Sequence, residues 1–273
     1  MKSFFYVLFF LFFLWNPIFL FAQKEKYTKN IGVYFEVRTD TNNLKRYTED
    51  NEIYKANYTF YYSLEYFDKN GIQKYYTRPD EHKWIFMPVY NDSVVVEYRM
   101  NVRPGLEGFF LRLKDYSQTI VQYTFWQANG MEQRKSEKTG LVENKKNIWL
   151  HPPRTDLTEI LQLNPFPCIR FPLKVGKTWK GYLEIGDFWG DERWKVWVGP
   201  ITNKYKYKIT EICMIETELG ELHCYKVKAV AESRIGKTYL TSYFNLDYGF
   251  VRYEYINIDG SQIIINLKQV DGK

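Results

Sequence analysis

Apolar and polar residues alternate over much of this chain, and that period of two constrains the fold more than any other feature. In Tyr205-Lys206-Tyr207-Lys208-Ile209, every second side chain is aromatic or aliphatic. Successive side chains of a β-strand point to opposite faces, so the pattern indicates strands with one buried face. Asn-Gly or Asp-Gly pairs at 70–71, 129–130 and 259–260 favour tight hairpin turns. We therefore predict a nearly all-β chain whose consecutive strands are mostly antiparallel neighbours.

The strand pattern recurs from the N-terminal third to the end of the chain. The predicted strands are 32–38, 58–66, 72–76, 94–102, 109–113, 120–127, 131–138, 147–150, 178–185, 193–198, 205–215, 222–231, 237–244, 250–256 and 262–269. Only segment 155–163 has helical spacing, with Leu157, Ile160 and Leu161 on one face and a proline-rich stop after it. We predict an all-β fold, a curved antiparallel sheet or half-open barrel, with 155–163 as a short lid helix.

The N-terminus predicts export. Residues 4–22 carry no charge, one lysine precedes them, and Ala22 is a small residue suited to processing. We predict a signal peptide over 1–22, cleaved after Ala22; an uncleaved anchor helix is the alternative. No second apolar run follows, so we expect no stable membrane span after cleavage and a periplasmic or extracellular location. The remainder divides into an N-terminal β portion (23–116) and a half-barrel-like β domain (117–273).

Charge and metal-ligand spacing exclude several function classes. The net charge is +6, and in the sequence the lysines are scattered among acids and aromatic residues, which is not typical of a nucleic-acid-binding protein. His82, His151 and His223 lie far apart in sequence, and no Cys/His spacing matches a metal site. We expect no cofactor and no metal.

Three cysteines remain, and an odd number leaves at least one thiol unpaired within the chain. Cys213 and Cys224 flank a turn at 217–220 and would lie opposite one another if these four residues form the loop. A disulfide between them is a hypothesis, because a register shift of one residue would prevent it.

Two segments concentrate chemistry-bearing side chains. The first, TGLVENKKNIWLHPPR (139–154), combines Glu143, His151 and Arg154 beside Trp149. Nothing in the spacing enforces a hydrogen bond between the glutamate and the histidine, and no serine or cysteine nucleophile accompanies them. We predict no catalytic residue here. The segment is interpreted as a joint between a strand and the helix, with Trp149, His151 and Arg154 as ligand contacts at its rim.

The second segment, GDFWGDERWKVW (186–197), combines tryptophans with Asp187, Asp191 and Glu192. Paired carboxylates beside tryptophans are typical of glycoside hydrolysis or sugar binding. Adjacent acids in a strand point to opposite faces, however, so a polar turn is the favoured interpretation. If a ligand binds, we expect Trp189 to contact it and Trp194 to lie nearby; the spacing lacks a calcium-loop pattern.

The C-terminal part of the chain resembles a known group. Between 119 and 270 the sequence contains NPFPCIRFPLKVGKTWKG, ELGELHCYKVKA and YFNLDYGFVRYEYINIDGS in succession. These phrases resemble a group of uncharacterised exported β-rich proteins of Gram-negative bacteria. That group is in turn remotely similar to the half-barrels of periplasmic lipoprotein carriers. The resemblance implies a fold and a compartment, and it brings no assigned reaction or catalytic residue.

These observations favour a non-enzymatic exported β protein. We expect it to bind an apolar or amphipathic ligand such as a lipid, or a partner's hydrophobic segment, on a concave sheet face. The alternatives are a structural or adhesive envelope protein and, less favoured, a carbohydrate-active hydrolase.

Overall fold

The computed structural model describes residues 27–38, 40, 42–79, 83–112, 116–133 and 135–273. The predicted signal peptide (1–22) and His82 lie outside them. In the described residues the strands are β1 (Tyr27–Asn30), β2 (Val33–Glu36), β3 (Thr59–Phe67), β4 (Gln73–Thr77), β5 (Ile85–Met87), β6 (Val95–Val102), β7 (Thr119–Gln127), β8 (Glu137–Glu143), β9 (Asn147–Leu150), β10 (Cys168–Arg170), β11 (Thr178–Ile185), β12 (Ile201–Thr217), β13 (Gly220–Ser233), β14 (Gly236–Asn245), β15 (Gly249–Ile256) and β16 (Gln262–Asp271). Three short 3₁₀ helices accompany them: η1 (Gly108–Arg112), η2 (Asp156–Leu163) and η3 (Asp187–Trp189). No helix in these ranges is long and apolar enough to cross a bilayer.

One antiparallel sheet contains nearly all the strands. Its order is β10-β9-β8-β7-β6-β3-β16-β15-β14-β13-β12-β11, with the β4–β5 hairpin attached to β3. The sheet curls into a nearly closed barrel with one seam, and β10 and β11 are its two end strands. The all-β class, the antiparallel curvature and the short lid helix are thus confirmed. Strands from both sides of residue 116 belong to this sheet, because β3 pairs with β16.

A hairpin near the N-terminus bridges the seam. The β2 strand is fixed to β9 because the backbone N–H of Tyr34 donates to Asn147 Oδ1 at 2.7 Å. At the hairpin's turn, Gly32 lies so close to β11 that a Cβ on it would come within 2.5 Å of the Gly181 Cα. A Cβ on Gly181 would likewise meet the Ile31 carbonyl oxygen at 2.4 Å. Two glycines therefore allow the turn and the edge strand to touch.

The barrel interior is filled by side chains. Large aromatic residues that are 2% exposed or less occupy it: Tyr54, Tyr62, Tyr98, Tyr123, Tyr253, Tyr255, Phe166, Phe244 and Phe250. Their rings are in contact, with Tyr62 stacked on Tyr98 at a centroid distance of 5.0 Å. Next to the seam, the gap lined by Trp149, Phe166 and Trp179 has a volume of only about 10 Å³, enough for about one water molecule. The concave face expected to bind a ligand is therefore occupied by the protein's own core.

The segment containing η2 completes this packing. Leu157, Ile160 and Leu161 are at most 2% exposed, as the helical spacing predicts. The Leu163 carbonyl at the end of η2 accepts hydrogen bonds from Asn203 Nδ2 and Thr238 Oγ1, both at 2.7 Å. The lid is thus tied to the inner faces of β12 and β14, so it closes a core and does not roof an open cavity.

Three strand predictions were wrong. Segment 109–113 overlaps η1, which begins at Gly108 with a φ of 56° that strands do not adopt. Segment 193–198 forms a loop because its buried side chains, Trp194 and Trp197, recur at a spacing of three and not two. Among the described residues of 131–138, only the isolated bridge between Trp126 and Glu132 precedes β8. The short edge strand β10 was not predicted.

Candidate functional site

The five predicted ligand-contact residues form two groups of contacts, one of Trp149 and His151 and one of Arg154, Trp189 and Trp194. The Trp149 and His151 rings lie 6.0 Å apart, and the Arg154 guanidinium lies 6.0 Å from the Trp189 ring centroid. Trp194 Nε1 donates to the Trp189 carbonyl at 3.4 Å. Trp149 and Trp194 are buried, His151 and Trp189 are partly buried, and the Arg154 side chain is 40% exposed. Ligand contact by these residues stays a prediction.

His151 has structural partners at its Nδ1, its carbonyl and its ring. Its Nδ1 lies 2.7 Å from the Pro152 carbonyl, so Nδ1 carries the proton, because a carbonyl only accepts. The His151 carbonyl accepts from Tyr123 OH at 2.8 Å, and its ring packs on Phe166 at 4.7 Å. Burial lowers the pKa of His151 to about 4. A neutral, packed imidazole with these contacts holds the corner after β9.

Glu143 is also part of the architecture. Its two carboxylate oxygens accept three backbone N–H groups, those of Glu52, Ile53 and Tyr54, each at 2.9 Å. Burial nevertheless raises its pKa. The carboxylate therefore anchors the segment before β3 to the end of β8 and does not reach His151.

Two of the three acids of the 186–197 segment, Asp187 and Asp191, stabilise the loop between β11 and β12. Asp191 accepts from Arg193 Nε at 2.8 Å and from its Nη2 at 2.5 Å, and this pairing lowers the pKa of Asp191. Asp187 accepts from the Gly199 backbone N–H at 2.8 Å. Both carboxylates thus have structural partners, whereas Glu192 is exposed. In the described parts of the chain, no group of three or more His, Cys, Asp or Glu side chains is arranged to hold a metal.

An aromatic contact missed by sequence reasoning fixes the same loop. The Arg193 guanidinium lies 3.8 Å from the Trp84 ring centroid and 5.3 Å from that of Trp194. The Trp84 and Trp194 indoles are nearly parallel, with an angle of 15° between their planes and 6.4 Å between their ring centroids. This cation–π arrangement links the loop to the β4–β5 hairpin across a sequence distance that no local pattern reveals.

Cys213 and Cys224 are directly opposite each other on β12 and β13, the register that the disulfide hypothesis requires. Both thiols are free in the structure, as is that of Cys168. Burial raises the pKa of the Cys168 thiol to about 12. The disulfide stays a prediction.

A cluster of lysines on the outer face of β11, β12 and β13 was not expected from the sequence. Lys180 lies directly opposite Lys206, and Lys208 directly opposite Lys228. Directly opposed residues of antiparallel strands project from the same face, and Lys204 follows on the same side of β12. All five side chains are exposed. We call these residues, Lys180, Lys204, Lys206, Lys208 and Lys228, the lysine face.

The lysine face carries little compensating charge, because Glu232, which lies directly opposite Lys204, is paired with Lys237. In the part of the chain that the structure describes, none of its ammonium groups forms an ion pair, whereas the neighbouring Lys226 and Lys237 pair with Glu211 and Glu232 at 2.9 and 3.2 Å. Glu184, opposite Thr202, is the unpaired acid on that face. Directly opposed like charges destabilise a sheet. An anion bound there would relieve this repulsion.

The same surface is concave. An open depression of about 430 Å³ is lined by Thr178, Lys180, Lys206, Lys208, Lys228, Val230 and Tyr239, together with the backbone of the alternate residues. Val230 lies between Lys206 and Tyr239 in the register, so an apolar floor adjoins the ammonium groups. The alternation Lys204, Lys206, Lys208 is the signal in the sequence that could have identified this surface.

A larger open groove of about 690 Å³ lies between β3, β4 and the β12–β13 turn. Its charges are of both signs: Lys268 lies 4.0 Å from Glu218, and Arg252 lies 2.9 Å from Glu254. Because these groups compensate one another, the groove offers less electrostatic selectivity than the lysine face.

Comparisons with known proteins give structural likenesses only. A scan against protein-family models and a search of the curated proteins found no match. The chain is similar to a Bacteroides fragilis protein described as exported with a YmcC-like fold (12% identity, 80% of this chain and 97% of that one, TM-score 0.43). It is also similar to a Parabacteroides distasonis protein described as a lipoprotein, with 12% identity over 80% of this chain and 97% of that one and a TM-score of 0.46. A third similar structure is that of the Escherichia coli hypothetical lipoprotein YmcC, with 10% identity over 80% of this chain and 90% of that one and a TM-score of 0.33.

Proposed function

We propose that this chain is an exported, non-enzymatic binding protein whose lysine face takes an amphipathic ligand with an anionic head group. The observation that carries the proposal is the depression of about 430 Å³, bordered by two directly opposed lysine pairs. Export is supported by the predicted signal peptide. A binding role is favoured over catalysis because the buried histidine and the loop acids have structural partners.

The chemistry of the lining favours an amphipathic anion over a simple one. Lysine methylene stems, Val230 and the ring of Tyr239, which is 43% exposed, form an apolar floor, while the ammonium groups remain in water. Small-molecule sites commonly combine apolar walls with a few convergent polar groups. An alkyl chain would lie on the floor, and its anionic head would be held by the opposed lysine pairs.

The outer face suits this role better than the barrel interior. Binding inside would have to displace packed tyrosines and η2, and opening a filled core costs several kcal/mol for each large side chain removed from its contacts. The depression on the outer face requires no such rearrangement.

Isothermal titration calorimetry with dodecyl phosphate below its critical micelle concentration tests the proposal. The chain beginning at Gln23 is expected to bind it, and the double variant Lys206→Gln/Lys228→Gln to bind about tenfold more weakly. Two exposed charge contacts at up to about 1 kcal/mol each account for that loss. Raising the salt concentration should weaken binding by the parent.

The double variant Lys55→Gln/Lys145→Gln is the matched control, because both lysines are exposed and lie away from β11–β14. It changes the net charge by the same amount and should leave the affinity unchanged. Equal affinities for the parent and the lysine-face variant would refute the proposed site. Equal binding of dodecyl maltoside by the parent would show that the anionic head is not recognised.

A further inference from the structure

The loop between β11 and β12 (residues 186–200), which we call the tryptophan loop, holds large apolar side chains out in solvent. Phe188 is 77% exposed, Val196 58% and Val198 85%, whereas Trp194 and Trp197 between them are 8% and 7% exposed. The indoles thus secure the loop from inside while the other three side chains face outward. Clustered apolar exposure of this kind marks an interaction surface.

The exposure is not the result of a loosely held loop. Arg193 lies against Trp84, at 3.8 Å from its ring centroid, and is paired with Asp191. At the far end of the loop, Arg234 donates to the carbonyls of Val198 and Gly199. Because the backbone is already ordered, docking of the loop loses little conformational entropy.

The tryptophan loop adjoins the lysine face. It begins directly after β11 ends at Ile185 and finishes where β12 begins at Ile201, and these two residues are opposite each other. Three residue pairs back along the ladder, beyond Glu184 and Thr202 on the outer face, Tyr182 (53% exposed) lies opposite Lys204. Lys195, within the loop, is also exposed. The exposed apolar side chains of the tryptophan loop, Tyr182 and the lysine face are therefore neighbours on the protein surface.

We infer that this combined surface docks on the face of an anionic lipid bilayer. Phe188, Val196 and Val198 enter the boundary between head groups and acyl chains, and the lysine face lies against the lipid phosphates. Interfacial binding scales with buried apolar area together with attraction between basic side chains and anionic lipids. A purely anionic partner such as an acidic polypeptide would use the lysines and leave the exposed apolar side chains of the loop unexplained. The electrostatic half of this inference rests on the proposed function; the apolar exposure of the loop is an independent observation.

Vesicle co-sedimentation tests the inference. The chain from Gln23, which contains every described residue, is mixed with 3:1 phosphatidylcholine/phosphatidylglycerol vesicles or with phosphatidylcholine alone. We expect binding to the anionic vesicles, at least tenfold weaker binding to the neutral ones, and loss of binding in high salt. The variant Phe188→Ser/Val196→Ser/Val198→Ser should bind anionic vesicles at least tenfold more weakly while binding monomeric dodecyl phosphate as the parent does.

The control Ile72→Ser/Val89→Ser/Leu246→Ser removes three other apolar side chains, 54%, 69% and 57% exposed, and should bind vesicles like the parent. Thermal melts of both variants establish that each is folded. Equal vesicle binding by the loop variant and the parent would overturn the inference and leave the proposed function standing. Binding of the parent to polyglutamate but not to anionic vesicles would also overturn it.

Discussion

Replacing Glu137 by glutamine should remove a pH dependence of stability that originates at the joint between β8 and η2. Glu137 begins β8, and its side chain is 12% exposed. Its carboxylate accepts from the Arg154 backbone N–H at 2.5 Å, while the Arg154 Nε is 3.7 Å away. Burial outweighs these contacts and raises its pKa from 4.5 to about 7.

The direction in which the free energy of unfolding changes with pH follows from proton binding. Between pH 4.5 and 7 the folded state retains a proton that the unfolded state has released, so rising pH lowers the free energy of unfolding over this window. A shift from 4.5 to about 7 corresponds to roughly 3 kcal/mol once both transitions are passed. Below about pH 4.5 Glu137 is protonated in both states, so it adds no pH dependence to the free energy of unfolding. His151 acts in the opposite direction between about pH 4 and 6.5, because burial lowers its pKa, and its contribution cancels when two proteins that retain it are compared.

The assay is urea unfolding of the parent and the Glu137→Gln variant from pH 4 to pH 8.5. Glutamine keeps a carbonyl for the Arg154 N–H but does not titrate. Across that pH range we expect the free energy of unfolding of the parent to fall by about 3 kcal/mol relative to that of the variant. Glu192→Gln, at an exposed position of the tryptophan loop, is the control. Its free energy of unfolding should change with pH as that of the parent does. If the free energies of unfolding of the parent and the Glu137→Gln variant differ by the same amount at every pH, this reasoning is refuted.

Three further predictions concern single contacts. In NMR titration the His151 ring should protonate near pH 4; protonation near 6.5 would show that it is not buried. Arg193→Ala should raise amide hydrogen exchange in 186–200 because it removes the contact with Trp84, and unchanged exchange would contradict the anchoring role. After expression in an oxidising compartment, Cys213 and Cys224 should be joined, leaving one of three thiols reactive after denaturation; three reactive thiols would disprove the pairing.

Much of the fold could be predicted because local patterns and the final packing agree. Strands 147–150 and 178–185 coincide with β9 and β11, since their alternation and flanking turns are both local signals. The helix at 155–163 was predicted because Leu157, Ile160 and Leu161 share a face that the core buries. Ligand binding on the concave face stays a prediction; no local pattern in the sequence indicates how far the inward side chains of many strands fill the barrel together.

The candidate site was much less predictable, because it depends on strand pairing. Lys180 and Lys228 are distant in sequence, and only the register of β11, β12 and β13 places them beside Lys206 and Lys208. Sequence reasoning treated the lysines as scattered, whereas the sheet gathers five of them on one face. The predicted contacts Trp149, His151 and Arg154 were identified by residue type; Trp149 is buried, the Arg154 side chain is 40% exposed, and their role in binding stays a prediction.

Amine footprinting tests the central claim most directly. The chain from Gln23 is acetylated briefly with and without dodecyl phosphate, and each lysine is quantified by mass spectrometry. The account predicts severalfold protection of Lys180, Lys206, Lys208 and Lys228, with Lys55 and Lys145 unchanged. Equal acetylation of the lysine face with and without the ligand, under conditions where calorimetry detects binding, would contradict it.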